Sequence, residues 1–195
     1  MKKLLITGFD PFGGEMINPS WEAVSRLPDE IGGYVLTKMR IPVVFGEAAD
    51  DVLEAASAVS ADVILCIGQA GGRSAITPEL VAINHRHASI TDNKGNRPSD
   101  EKIDAKGAAA YFSTVPVRRI ADAIAASGVS SQVSYSAGAY VCNDVLYTLL
   151  KHYDGSDVKV GFIHIPYSKE QGKEPSMALE DIIRGLTVAI ENVKE

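Results

Sequence analysis

Apolar residues recur along this chain in two periods, and the alternation between the two predicts its architecture. Short, β-branched, near-continuously apolar runs at 3–8, 34–41, 62–68, 80–84, 132–137 and 158–165 predict strands, most of them buried on both faces. Between them apolar residues fall at helical spacing: Ala48, Ala49, Val52, Leu53, Ala56 and Val59, then Val117, Ile120, Ala121, Ile124 and Ala125 up to Gly128. Leu146, Leu149, Leu150 and Tyr153 mark a further helix. Leu179, Ile182, Ile183, Leu186, Ile190 and Val193 mark the last, with Ser176 as its expected cap and Glu180 and Asp181 in its first turns. Strands alternating with helices predict the α/β class: a single-domain, open α/β/α sandwich over residues 1–195 with a mostly parallel, twisted sheet. Sites in such sheets collect at the carboxyl ends of strands. The polar segment 86–107, which contains Asn93-Lys94-Gly95-Asn96-Arg97-Pro98, predicts a long loop able to cover a pocket.

Composition narrows the function classes. A hydrophobic content of 46% against 23% charged residues excludes intrinsic disorder. With 19 basic and 25 acidic side chains the net charge is −6, which argues against a nucleic-acid binder. No apolar run approaches the ~20 residues that span a bilayer. The basic opening is followed by Thr7, Gly8 and Asp10, which interrupt the apolar run of a secretory signal, so a cytoplasmic location is expected. Cys66 and Cys142 are expected to be independent thiols rather than a disulfide.

Candidate chemistry gathers where strands end. Ser136-Ala137-Gly138-Ala139-Tyr140-Val141-Cys142-Asn143 follows a predicted strand and enters a predicted helix, which sets Cys142 in the first helical turn. Free backbone N–H groups and the helix dipole there can stabilise a thiolate and an oxyanion. Two roles therefore fit Cys142, a nucleophile and a small packing residue. Cys66 lies inside the apolar run Val63–Ile67, where a structural role is expected. Of four histidines, His164 falls at the end of a predicted strand, just before Pro166, where it can share a proton with a thiol. His85, His87 and His152 read as solvated; the His85-Arg86-His87 spacing could offer two metal ligands but lacks a third. Glu79 opens an apolar strand and fits either a solvated flank or the carboxylate that orients an imidazole. The turn Gly68-Gln69-Ala70-Gly71-Gly72-Arg73 lacks phosphate-loop spacing, but it brings backbone and the Gln69 amide close to a ligand. In Gly8-Phe9-Asp10-Pro11-Phe12-Gly13-Gly14, the two phenylalanines suit either core plugs or the walls of a small pocket, with Asn18-Pro19 capping the helix that follows.

Taken in order, these segments resemble the pyroglutamyl-peptidase I (pyrrolidone-carboxylate peptidase) family of cysteine peptidases. The resemblance runs through Gly8–Gly14, Asn18-Pro19-Ser20-Trp21, Gly68–Arg73, Val81-Ala82-Ile83-Asn84, Tyr111-Phe112-Ser113-Thr114 and Phe162-Ile163-His164-Ile165-Pro166-Tyr167. It implies removal of an amino-terminal pyroglutamyl residue from peptides, no metal or organic cofactor, and a homo-oligomer, commonly a tetramer. By the same resemblance Cys142, His164 and Glu79 form the catalytic triad. Phe9, Phe12, Asn18, Gln69, Ile90, Tyr140 and Val141 line the pocket for the lactam ring.

Three positions depart from the family pattern: Leu80 and Ser89 stand where it has arginine, and Tyr140 where it has phenylalanine. A cation near the site can stabilise a thiolate or oxyanion, so Ser89 predicts reduced turnover or an altered leaving-group preference. Tyr140 keeps an aromatic wall and adds a hydroxyl that needs a partner. A non-catalytic binder of lactam ligands is the alternative function. A nucleoside phosphorylase or hydrolase on a similar sandwich is a third, and it would rely on Gly71, Gly72 and Arg73 for phosphate.

Overall fold

The computed structural model describes residues 1–194. The chain opens with β1 (Lys2–Phe9), α1 (Pro19–Ser25), β2 (Glu30–Ile31), β3 (Tyr34–Ile41), α2 (Glu47–Val59) and β4 (Val63–Gln69). It continues with β5 (Thr77–Pro78), β6 (Val81–Ile83), β7 (Ala110–Phe112), α3 (Val117–Ala126), α4 (Val141–His152), β8 (Lys159–Ile165), β9 (Tyr167–Ser168), β10 (Ser176–Met177) and α5 (Leu179–Glu191). Six strands form one sheet in the order β2-β3-β1-β4-β8-β5. The four long strands run parallel, while the two-residue edges β2 and β5 are antiparallel. This is the expected mostly parallel α/β sandwich.

Apolar residues on both faces of each central strand dictate the layers. Leu4, Ile6, Val63, Leu65, Ile67, Ile163 and Ile165 face α1, α3 and α5. Leu5, Phe9, Ile64, Cys66, Val160 and Phe162 face α2 and α4. By this alternation Gly68 and His164 fall on the α2/α4 face, at the carboxyl ends of β4 and β8, and they are partners in register. On the opposite face the start of α1 packs hard on the end of β1. A Cβ on Gly8 would stand 2.6 Å from the Trp21 backbone, so the approach requires glycine. Among the described residues no helix is long and apolar enough to cross a membrane.

Three expected local features differ. Residues 132–137 form no strand; they run beside β5 through the bridges Ile76↔Ser131 and Glu79↔Ser134. Their serines and the exposed Tyr135 give the run no second apolar face to bury. The 80–84 run shortens to β6, which pairs with β7 in a separate two-stranded ribbon. Of its three residues only Ala82 is buried. Ser176 belongs to β10, and the N-cap of α5 is the extended Ala178, which has no side chain able to cap; Glu180 and Asp181 occupy the first turn as expected.

Candidate active site

A small cavity opens at the carboxyl end of the sheet, lined by Phe9, Phe12, Asn18, Val43, Gln69, Tyr140, Val141 and Cys142. Local hydrogen bonding fixes its polar wall. Asn18 caps α1, its Oδ1 accepting from the Ser20 N–H at 3.1 Å and the Ser20 hydroxyl at 2.8 Å, while Nδ2 donates to the Asp10 carbonyl. The Phe9 N–H donates in turn to Ser20 Oγ, which locks the β1 end to the helix. Tyr140 packs edge-on to Phe45 and tilted against Phe12, and its hydroxyl donates to the Thr91 carbonyl at 3.0 Å. The extra hydroxyl therefore finds a partner and ties the long loop over the cavity. Six of the seven expected pocket residues converge here. Ile90 does not; it is 46% exposed and lines the adjoining open groove with His87, Ser89, Gly71 and Tyr167. The change to serine at position 89 thus falls on that groove.

Cys142 is the second residue of α4, as the turn-helix pattern predicted. Tyr140 is the N-cap and gives no side-chain acceptor, so first-turn N–H groups are left for a ligand. The next two residues are buried anchors. Asn143 accepts from the Ile83 N–H and donates to the carbonyls of Ile83 and His85. Asp144 takes Arg86 Nε at 2.5 Å and the Gly46 N–H at 2.8 Å. Opposite the helix start, Gly68 leaves room for the thiol: an added Cβ would lie 3.0 Å from Cys142 Sγ and 2.8 Å from the Phe162 ring.

His164 Nδ1 lies 2.7 Å from Glu79 Oε1, and both side chains are buried. A carboxylate only accepts, so Nδ1 carries the hydrogen and the Nε2 lone pair stays free. Glu79 Oε1 also accepts from Arg73 Nη1 at 2.6 Å. The same guanidinium donates to Thr77 Oγ1 and to the Ser136 carbonyl. Arg73 is therefore engaged with the carboxylate, which removes the one cation that a phosphate site would have used.

Charge follows from these contacts. Burial alone would raise the Glu79 carboxyl, but the hydrogen bonds and charge of His164, together with Ser134 and Arg73, hold it below its ordinary range. Burial lowers His164; Glu79 opposes the shift and the nearby Arg73 reinforces it. Burial pushes the Cys142 thiol up to about 12, with Glu79 adding to the rise and Arg73 opposing it. These shifts favour a thiol at Cys142, a neutral imidazole at His164 and a carboxylate at Glu79 near pH 7, the cost of burying the charge opposing the helix-terminus effect. Cys66 is fully buried on the same face and is likewise pushed up to about 12, and both cysteines are free.

The remaining candidates have local roles. His85 and His87 both contact Asp100 Oδ1, at 3.2 and 3.1 Å, and His152 packs edge-on against Tyr153. Among the described residues no group of three His, Cys, Asp or Glu side chains is placed to hold a metal ion. Val43, Arg73, Asn143 and Asp144 were not singled out for these roles. A consecutive buried Asn-Asp pair in the first turn of a helix is the signal that could have exposed the last two.

Residues 2–195 match the family model for pyroglutamyl peptidase. The pyrrolidone-carboxylate peptidase of Lactobacillus helveticus is 49% identical over 97% of both chains. Pyroglutamyl peptidase I from Bacillus amyloliquefaciens superimposes with a TM-score of 0.95 at 43% identity, covering 100% of this chain and 96% of its own. The pyrrolidone carboxyl peptidase from Thermococcus litoralis gives a TM-score of 0.94 at 36% identity, over 99% and 93% of the two chains. With near-complete coverage in sequence and in structure, the chain belongs to the pyroglutamyl peptidase family.

Proposed function

We propose that this chain hydrolyses the amide bond after an amino-terminal pyroglutamyl residue, with Cys142 as nucleophile, His164 as proton carrier and Glu79 as the group that orients the imidazole. The observation that carries the reading is the small, mainly apolar cavity that ends on the Cys142 sulfur and holds two amide side chains, Asn18 and Gln69. An uncharged five-membered lactam suits it: apolar walls take the ring methylenes and the amides meet the ring's polar edge. An open-chain residue would have to strip water from its ammonium.

In the proposed sequence, neutral His164 takes the Cys142 proton as sulfur attacks the carbonyl carbon. First-turn N–H groups of α4 meet the oxyanion. The imidazolium gives its proton to the leaving amine, the C–N bond breaks and a thioester remains. His164 then takes a proton from water, the resulting hydroxide attacks the thioester, and the sulfur leaves with that proton returned to it. A neutral resting pair needs no preformed ion pair, which fits a buried site.

The test is hydrolysis of a pyroglutamyl-coumarin amide under reducing conditions by wild type, Cys142→Ala and Cys66→Ala, with a prolyl-coumarin amide as control. Turnover lost only in Cys142→Ala, and absent with the prolyl compound, supports the reading. A folded wild type that binds a lactam without turnover would replace it with the non-catalytic binder.

A further inference from the structure

We propose that Gln171 is a positioning residue for lactam recognition: it fixes the Gln69 side-chain amide so that Gln69 Nε2 is the donor presented to the cavity. This rests on the pyroglutamyl reading of the site. Gln171 closes the short 3-10 turn 169–171 that follows β9, outside every segment that the sequence singled out as chemical.

Its own orientation is determined by the backbone. The buried Ser168 donates its N–H to Gln171 Oε1 at 3.0 Å, as one half of a capping box. The acceptor end of the Gln171 amide is thereby used, and its Nε2 must be the donor end. That Nε2 donates to Gln69 Oε1 at 2.9 Å and to Glu15 Oε2 at 3.4 Å. Glu15 is in turn paired with Lys173, whose ammonium lies 5.2 Å from the centre of the Tyr167 ring at the groove. Orientation thus passes from a backbone N–H through Gln171 to Gln69.

The consequence lies in the amide that Gln69 turns to the cavity. Its Oε1 faces Gln171, so the donor end, Nε2, is left for a ligand. A ring carbonyl can accept from it, whereas a prolyl ring offers only methylene at that position and leaves the donor unpaired. Without Gln171 the Gln69 amide is free to turn over and set an oxygen against the ring carbonyl. Gln171 would then control selectivity for the lactam without touching it.

Gln171→Glu tests this role, because it keeps an acceptor for the Ser168 N–H and removes the donor toward Gln69; it also removes the 3.4 Å bond to Glu15 and sets a second carboxylate beside it, an effect that the Gln69→Leu background separates. A glutamate there accepts from Gln69 Nε2 and turns the amide round. On the pyroglutamyl-coumarin amide, KM is expected to rise about tenfold, the size of one misdirected hydrogen bond, with kcat within about twofold of wild type. Protection of Cys142 from iodoacetamide by 2-pyrrolidone should weaken by a similar factor. In a Gln69→Leu background Gln171→Glu should add nothing, because the effect acts through Gln69. The inference is overturned if Gln171→Glu leaves KM and protection unchanged in the wild-type background. It is equally overturned if the same penalty persists beside Gln69→Leu, which would mark a general effect of the added charge or of the turn. An inactive wild type that 2-pyrrolidone still protects would sink the peptidase reading alone, and the protection assay would then decide the role of Gln171. If the wild type is inactive and 2-pyrrolidone also fails to protect it, both readings fall.

Discussion

Replacing Arg73 by methionine tests the electrostatics of the site most directly. Arg73 Nη1 and His164 Nδ1 bond the same oxygen of Glu79, at 2.6 and 2.7 Å, so the two nitrogens are at most about 5.3 Å apart. Two unit charges at ~5 Å repel by about 3 kcal/mol at an effective dielectric constant of 20. The guanidinium side chain is 29% exposed, and solvent screening reduces this to about 1 kcal/mol. The His164 pKa therefore rises once the cation is gone. Loss of the bond to Glu79 acts in the same direction, because a more basic carboxylate favours the imidazolium beside it.

The sign then fixes the kinetics. His164 must be neutral to accept the Cys142 proton, and in the wild type burial and Arg73 both lower its pKa below 6.5. In Arg73→Met the imidazole protonates at higher pH. The acid limb of kcat/KM for the pyroglutamyl-coumarin amide should therefore move to higher pH. Arg73→Lys keeps the charge and should leave the limb near its wild-type position, even though the two-pronged contact is lost. A profile measured from pH 5 to 9 with all three proteins decides it. An acid limb that stays put in Arg73→Met, or moves down, would refute the claim that Arg73 sets the charge state of the pair.

Four further outcomes follow from the same geometry. Because Cys142 is pushed up to about 12, its alkylation by iodoacetamide should be slow at pH 7 and climb about tenfold per pH unit through pH 9; a plateau between pH 6 and 8 would mean a resting thiolate after all. Gly68→Ala should abolish most turnover and lower stability by about 1–3 kcal/mol, since its Cβ would press on Cys142 Sγ at 3.0 Å and on the Phe162 ring at 2.8 Å; activity and urea melts report both. Thermal stability should fall as pH drops, first below the ordinary 6.5 of histidine, where unfolded His164 gains a proton that the folded site resists. It should fall again below 4.5, where the unfolded Glu79 carboxyl protonates before the folded one. His164→Asn should remove the first of these slopes and weaken the second, because His164 is the foremost group that holds the Glu79 carboxyl down. Arg86→Met strands the buried Asp144 carboxylate and should cost about 3–5 kcal/mol, with the loop 86–107 exchanging its amides faster.

The fold was legible where burial and period agree, and two of the three proposed catalytic positions were legible for the same reason. β1, β4 and β8 are apolar on both faces, so their runs stood out, and His164 and Cys142 could be placed at a strand end and a helix start without further knowledge. Glu79 was only half legible. Its charge suits a solvated flank equally well, and its burial depends on His164 and Arg73, which reach it from β8 and from the glycine-rich turn. The bond from Arg73 to Glu79 was not legible, because a guanidinium six residues before its partner declares nothing about which way the intervening turn directs it. The burial that opposes a charge on Cys142 was not legible either: the helix terminus is visible in sequence, whereas burial arises only from the packed fold.

The first turn of α4 shows why chemistry and scaffold could not be separated by inspection of the chain. Val141 walls the cavity, Cys142 carries the thiol, Asn143 pins β6, and Asp144 holds Arg86 and Gly46. Asn and Asp lower helix propensity and are costly to bury, so two in succession are retained only where each satisfies several partners. Their partners are the strand that continues from Glu79 and the loop that covers the cavity. Cys142, the proposed nucleophile, is thus fixed relative to both the strand that follows Glu79 and the cavity by the residues that directly follow it. A substitution at either anchor should therefore show in turnover before it shows in the melting of the sheet.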